Sequence, residues 1–126
     1  VVDNVNPDII ILIDSIISKS YLYLGKCFQV SNVGFVPGSG VDNARKILDE
    51  NTLKVPVISI GVPLVISAQN LLDEYLDKSY NNLENLIVTN KEVDILVKNC
   101  ANIVATSINL AINNKMTLDE ILNYMR

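Results

Sequence analysis

The chain contains no histidine and no tryptophan in 126 residues. The missing imidazole excludes Ser-His-Asp and Cys-His catalysis within this chain. It also excludes histidine-containing zinc sites and any imidazole acid–base. Arginine is nearly absent, with only Arg45 and Arg126, and the lysines are scattered singly over a chain of formal charge −4. No basic stripe exists for a phosphate backbone, so nucleic acid is not an expected partner. The two cysteines, Cys27 and Cys100, stand far apart and outside any CxxC pair. Neither a metal knuckle nor a redox motif is supported, so no metal and no cofactor is expected. Both cysteines read as buried small hydrophobes of a reducing compartment. The longest purely apolar run, Ile9 to Ile13, is far short of a membrane span, so no membrane partner is expected. The start, Val1-Val2-Asp3-Asn4, lacks the positive n-region of a signal peptide. It also lacks an initiator methionine, and reads as a fragment or a processed chain. The chemistry left must come from carboxylates, hydroxyls, amides, lysine or backbone.

Apolar residues make up 49% and charged residues 19%, which excludes a disordered chain. The length suits one domain with a core of its own. Asp8 to Asp14 holds five consecutive aliphatics, four of them isoleucine, and predicts a strand buried on both faces. Ser15 to Leu24 carries Ile16, Ile17, Tyr21 and Leu24 at helical spacing and predicts a short helix ended by Gly25. Lys26 to Val33 predicts a second strand, followed by a loop with three glycines and one proline in the seven residues 34–40. Asp42 to Leu53 reads as a helical turn within irregular chain. Val55 to Val62 predicts a third strand, too apolar to face water on either side. Pro63 suits the first position of a helix reaching about Lys78. Leu86 to Val88 suggests a short strand. Thr89 to Glu92 reads as a capping box for a helix reaching about Asn113, with a wide apolar face that packs on a sheet or inside an oligomer. Thr117 to Glu120 reads as a second capping box. Short buried strands separated by helices predict an α/β fold with a mostly parallel sheet in three layers.

Such sheets place function at the carboxyl ends of their strands. Asp14 follows the aliphatic run, where a carboxylate is either a usable acid or base, or the cap of the next helix. The Pro37-Gly38-Ser39-Gly40 loop offers backbone N–H groups unshielded by Cβ. It is either a cradle for a carbonyl or anion, or a tight turn. It matches neither a P-loop nor a dinucleotide fingerprint. Asn43 and Arg45 follow it as potential carbonyl or carboxylate contacts. Gly61, Val62 and Pro63 end the third strand, either as a plain strand-to-helix turn or as a place where a second backbone can approach.

Taken in order, Pro7-Asp8 through Asp14-Ser15, Pro37 through Val41 with Asn43, Val55 through Pro63 and Val88 through Asp94 resemble the spore germination protease family. The resemblance implies an α/β fold like that of the hydrogenase-maturation peptidases, here lacking an amino-terminal strand–loop unit. It implies an atypical aspartic-type endopeptidase that degrades small acid-soluble spore proteins. It also implies a zymogen, a homotetramer and a cytoplasmic location in the spore core or forespore. Of two essential aspartates it places one at Asp14 and leaves the other to an upstream unit. Gly38, Ser39, Gly40 and Asn43 become a substrate-binding or oxyanion loop. Asn32, Gly34, Gly61 and Pro63 become crevice-lining residues. The family's Asp-Thr before the glycine is Asn32-Val33 here, its loop histidine is Val36, and its Thr and Asp after the third strand are Leu64 and Ser67. These changes thin the polar neighbourhood of Asp14. The chain alone is therefore expected to be inactive, and a degenerate homologue acting as an oligomerisation or protein-binding module is the alternative.

Overall fold

The computed structural model describes residues 2–38, 46–76, 83 and 86–124. The chain divides into two compact units, Val1–Lys91 and Glu92–Arg126.

The first unit is built around one mixed sheet. Strands β1 (Ile10–Ser18), β2 (Gln29–Ser31), β3 (Val57–Ser67) and β4 (Ile87–Thr89) form it, and β3 is its centre. β1 runs parallel to β3 along its whole length, from Ile10 beside Val57 to Ser18 beside Ile66. β2 and β4 are both antiparallel to β3, at Ser59–Gly61 and Val65–Ser67 respectively. Since β1 takes one edge of β3, β2 and β4 share the other, end to end. The α/β class stands, but the mostly parallel sheet does not: only one of the three pairings is parallel. The long β1-to-β3 link allows the parallel crossover between those two strands, while β2 and β4 pair with β3 as antiparallel neighbours.

β1 and β3 outrun their predicted ends. The expected helix over Ser15–Leu24 is strand as far as Ser18, followed by a 3-10 turn at Tyr21–Tyr23. The β-branched Ile16 and Ile17 extend the ladder because Pro63 and Val65 stand opposite them. Likewise Pro63 does not open a helix. It lies buried inside β3, beside a register shift between Ile16 and Ile17. A proline donates no ladder bond, and a bulge is where a central strand tolerates one. Helix α3 begins only at Ala68 and runs to Tyr75, with Ser67 as its cap, accepting from the Asn70 amide at 3.1 Å. Two further short helices, α1 (Val2–Val5) and α2 (Glu50–Leu53), complete the unit. Asp49 caps α2, and its carboxyl is held below the ordinary range by hydrogen bonds from the Thr52 hydroxyl and amide.

The two faces of the sheet differ. Val57, Ser59, Gly61 and Pro63 of β3 are buried on one. On the other, Ile11, Ile13 and Val30 are 36%, 54% and 67% exposed. β1 is therefore not buried on both faces as its aliphatic run suggests, because no described element of the first unit covers that side.

The second unit is a helical pair, α4 (Val93–Ile112) and α5 (Leu118–Tyr124). Cys100, Val104 and Ile121 are buried, while Ile95, Ile103 and Ile112 are each more than half exposed. By length and composition α4 could cross a membrane, a test that a helix covered in an oligomer also passes. The second capping box is present: the Thr117 amide and hydroxyl donate to the Glu120 carboxylate, and the Glu120 amide donates back to the Thr117 hydroxyl. The first is not. Thr89 belongs to β4, and its hydroxyl donates to the Leu64 carbonyl at 2.7 Å.

Candidate active site

Strand alternation and register place the site on the buried face. Leu12, Asp14 and Ile16 of β1 share a face with Ser59, Gly61 and Pro63 of β3, and with Gln29 and Ser31 of β2. Asp14 is therefore a mid-strand residue, directly beside Gly61, rather than the end of a strand or the cap of a helix. Its half-buried carboxylate is fixed by two backbone donors. Oδ1 accepts from the Ser15 amide at 2.9 Å, and Oδ2 accepts from the Gly38 amide at 3.2 Å.

The second donor comes from the loop singled out by its glycines. Gly38 has φ 67°, the left-handed region in which glycine is unstrained. The loop is held from behind by an isolated antiparallel bridge between Phe35 and Leu48, with both of their backbone bonds formed, at 3.2 and 3.0 Å. That bridge requires Gly34. A Cβ there would lie 1.7 Å from the Leu48 carbonyl oxygen. Gly34 therefore acts by permitting close approach of two backbones, and Gly38 by turning the chain so that an amide meets Asp14.

Asp14, Ser15, Leu12, Phe35, Gly38 and Leu48 contribute to the wall of an open cavity of about 470 Å³. Asp14 is the only ionisable side chain lining it among the described residues. Among the described residues no cluster of three acidic or cysteine side chains could hold a metal ion. The described lining thus presents one carboxylate, the Ser15 hydroxyl and largely apolar walls.

The other expected residues are distributed as follows. Gly61 sits beside Asp14 on the floor of a second, smaller cavity, which Gly34 also lines. Asn32 is exposed on the turn after β2 and lines neither cavity. Pro63 is buried, and its carbonyl accepts from the Gly25 amide at 2.6 Å. Ser39, Gly40, Asn43 and Arg45 lie outside the described residues. Phe35 and Leu48 were not predicted by any motif. Their signal is indirect, since a glycine followed by an aromatic after a strand can mark a backbone crossing.

A family model described as germination protease matches residues 1–83. The germination protease of Caldanaerobacter subterraneus subsp. tengcongensis is 35% identical over 95% of this chain and 48% of its own length. That of Clostridium tetani is 33% identical over 98% of this chain and 49% of its own length. One from Bacillus cereus is 40% identical over 77 residues, 61% of this chain and 21% of its own length. The chain spans about half the length of the first two relatives. The alignment with the Caldanaerobacter protein runs to 154 positions against 126 residues here, so that relative carries inserted residues within the aligned span. This chain belongs to the germination protease family.

Proposed function

We propose that this chain supplies one carboxylate, Asp14, to a germination-protease-like endopeptidase that degrades small acid-soluble spore proteins. The observation that carries this reading is the Asp14 carboxylate, fixed by two backbone donors at the wall of a cavity with no other ionisable side chain among the described residues. General acid–base hydrolysis of a peptide needs two groups. One carboxylate takes a proton from the attacking water as its oxygen bonds to the peptide carbonyl carbon. The other, protonated, gives its proton to the leaving amine as the C–N bond breaks. Two carboxyl groups at close range divide these roles because both cannot ionise together. Asp14 provides one of them, and the partner comes from residues outside this chain. The glycine loop, which already turns an amide toward Asp14, lies where backbone donors can hold a substrate carbonyl. The chain by itself is inactive in this reading, and the working assembly is a homo-oligomer of complete protomers in the cytoplasm of the spore.

The test is complementation. The chain alone should not cleave a small acid-soluble spore protein. Mixed with the amino-terminal half of a germination protease it should cleave, and Asp14→Asn should abolish that cleavage. Cleavage that survives Asp14→Asn in the mixture would sink the proposal.

A second reading is favoured by the substitutions at Asn32, Val33, Val36 and Leu64 and by the open apolar sheet face. In it the chain is a non-catalytic module for oligomerisation or protein binding. Complementation without any cleavage, together with tight association of the two halves, would select it.

A further inference from the structure

A second cavity, of about 150 Å³, lies on the same sheet face as Asp14 and shares Phe35 with the larger one. Its position follows from the register: Gly61 is the partner of Asp14 on one side and of Gln29 on the other, and Ser59 is the partner of Ser31. Ile16, Gln29, Ser31, Phe35, Ser59 and Gly61 contribute to its lining. The space exists because Gly61 has no side chain. A Cβ there would stand 2.9 Å from Ile16 Cδ1.

The chemistry of the lining is selective. None of its described lining residues is charged. The Ser59 hydroxyl donates to the Val33 carbonyl at 2.6 Å. The Ser31 hydroxyl oxygen accepts from the Val33 amide at 3.0 Å, which leaves the Ser31 proton to be donated. The Gln29 amide adds both a donor and an acceptor. Apolar contact comes from Ile16 and Phe35. A charged side chain entering here would lose hydration and meet no counter-charge. A purely hydrocarbon one would leave the half-buried Ser31 hydroxyl unanswered and gain nothing from the exposed Gln29 amide beside it. An apolar stem with an uncharged amide tip meets both requirements.

We propose that this cavity is a subsite that receives an uncharged amide side chain, glutamine or asparagine, of a polypeptide held at Asp14, with Phe35 as the wall dividing it from the Asp14 cavity. The proposal rests on the peptidase reading of Asp14, and its test is a binding measurement separate from cleavage.

The isotopically labelled 126-residue chain would be titrated with N-acetyl-glutamine N-methylamide and with its glutamate and lysine counterparts. The glutamine compound is expected to shift the amide resonances of Ser31, Val33 and Gly61, and to bind at least about tenfold more tightly than either charged compound. Gly61→Ala, which fills the cavity, should weaken it by at least about tenfold. Ser31→Ala, which adds no volume, should weaken it as well, so the test survives if the glycine variant folds poorly. Absence of shifts at those amides, equal binding of all three compounds, or undiminished binding by both variants would overturn the proposal. Asp14→Asn should leave this binding intact. Binding without Asp14-dependent cleavage in the complemented enzyme would remove the peptidase reading and keep the subsite. Asp14-dependent cleavage without binding would remove the subsite and keep the peptidase.

Discussion

Gly34 and Gly61 both sit beside the site, yet a methyl group should be felt differently at each. At Gly34 the added carbon meets a backbone carbonyl 1.7 Å away, and a backbone cannot swing aside. At Gly61 it meets the end of the Ile16 side chain at 2.9 Å, which can rotate. Gly34→Ala is therefore expected to cost about 1–3 kcal/mol, the usual range for overpacking. It should also open the Phe35–Leu48 bridge and so withdraw the Gly38 amide from Asp14. Urea unfolding reads the first effect, and faster amide exchange at Phe35 and Leu48 reads the second. Unchanged exchange at both amides would show that the bridge does not depend on Gly34. Ser59→Ala offers a gentler comparison. It removes a donor from the Val33 and Ser31 carbonyls and should cost about 1 kcal/mol in the same measurement. Asp14 was legible from its place after an aliphatic run and from the resemblance its neighbours carry. Its donor Gly38 was legible only as a loop glycine. That the two meet depends on a backbone crossing 14 residues from Gly34 to Leu48, which no local pattern encodes.

Among the elements, the short caps were easier to read than the ends of the strands. Thr117 and Glu120 form a capping box because both donors and both acceptors lie within one turn, a purely local arrangement. The hydrogen bonds from Thr117 hold the Glu120 carboxyl below its ordinary 4.5. A carboxyl lowered in the folded state stabilises that state at pH above its ordinary value, and the contribution disappears as pH falls through the lowered value. Protection of the amides at the start of α5 should therefore be full near neutrality and decline below about pH 4.5. In Thr117→Val, which keeps the branched shape but loses the hydroxyl, that pH dependence should shrink. An acid profile identical to the unaltered chain would show that the hydroxyl is not responsible. The misplaced boundaries have a tertiary origin. Ile16 and Ile17 suit either helix or strand by themselves, and the strand prevails because β3 runs on opposite them. Thr89 could cap a helix, but it pairs with Val65 as the last residue of β4, and α4 begins only at Val93.

At the level of the whole molecule, the open sheet face and the long edge of β1 dominate expected behaviour. Ile11, Ile13 and Val30 present an apolar surface, and among the described residues no strand pairs with the outer edge of β1. Such edges and patches drive association. The 126-residue chain should sediment as oligomers whose mass rises with concentration, and Ile13→Lys, on the open face, should shift it toward monomer. A monodisperse monomer for the unaltered chain would contradict this. The aliphatic run announces such a surface, since a strand so apolar expects cover on both sides. What covers it is not a property of the local sequence.

The proline within β3 has a consequence for how this sheet tolerates change. A slip of one residue in a strand ordinarily turns every side chain to the opposite face. The bulge at Ile16 and Ile17 takes up one extra residue, so that Leu64 has no partner in β1. It works as an expansion joint. An insertion or deletion in the downstream half of β3, where β4 and α3 attach, would be met first at this joint, before it could turn Gly61 away from Asp14.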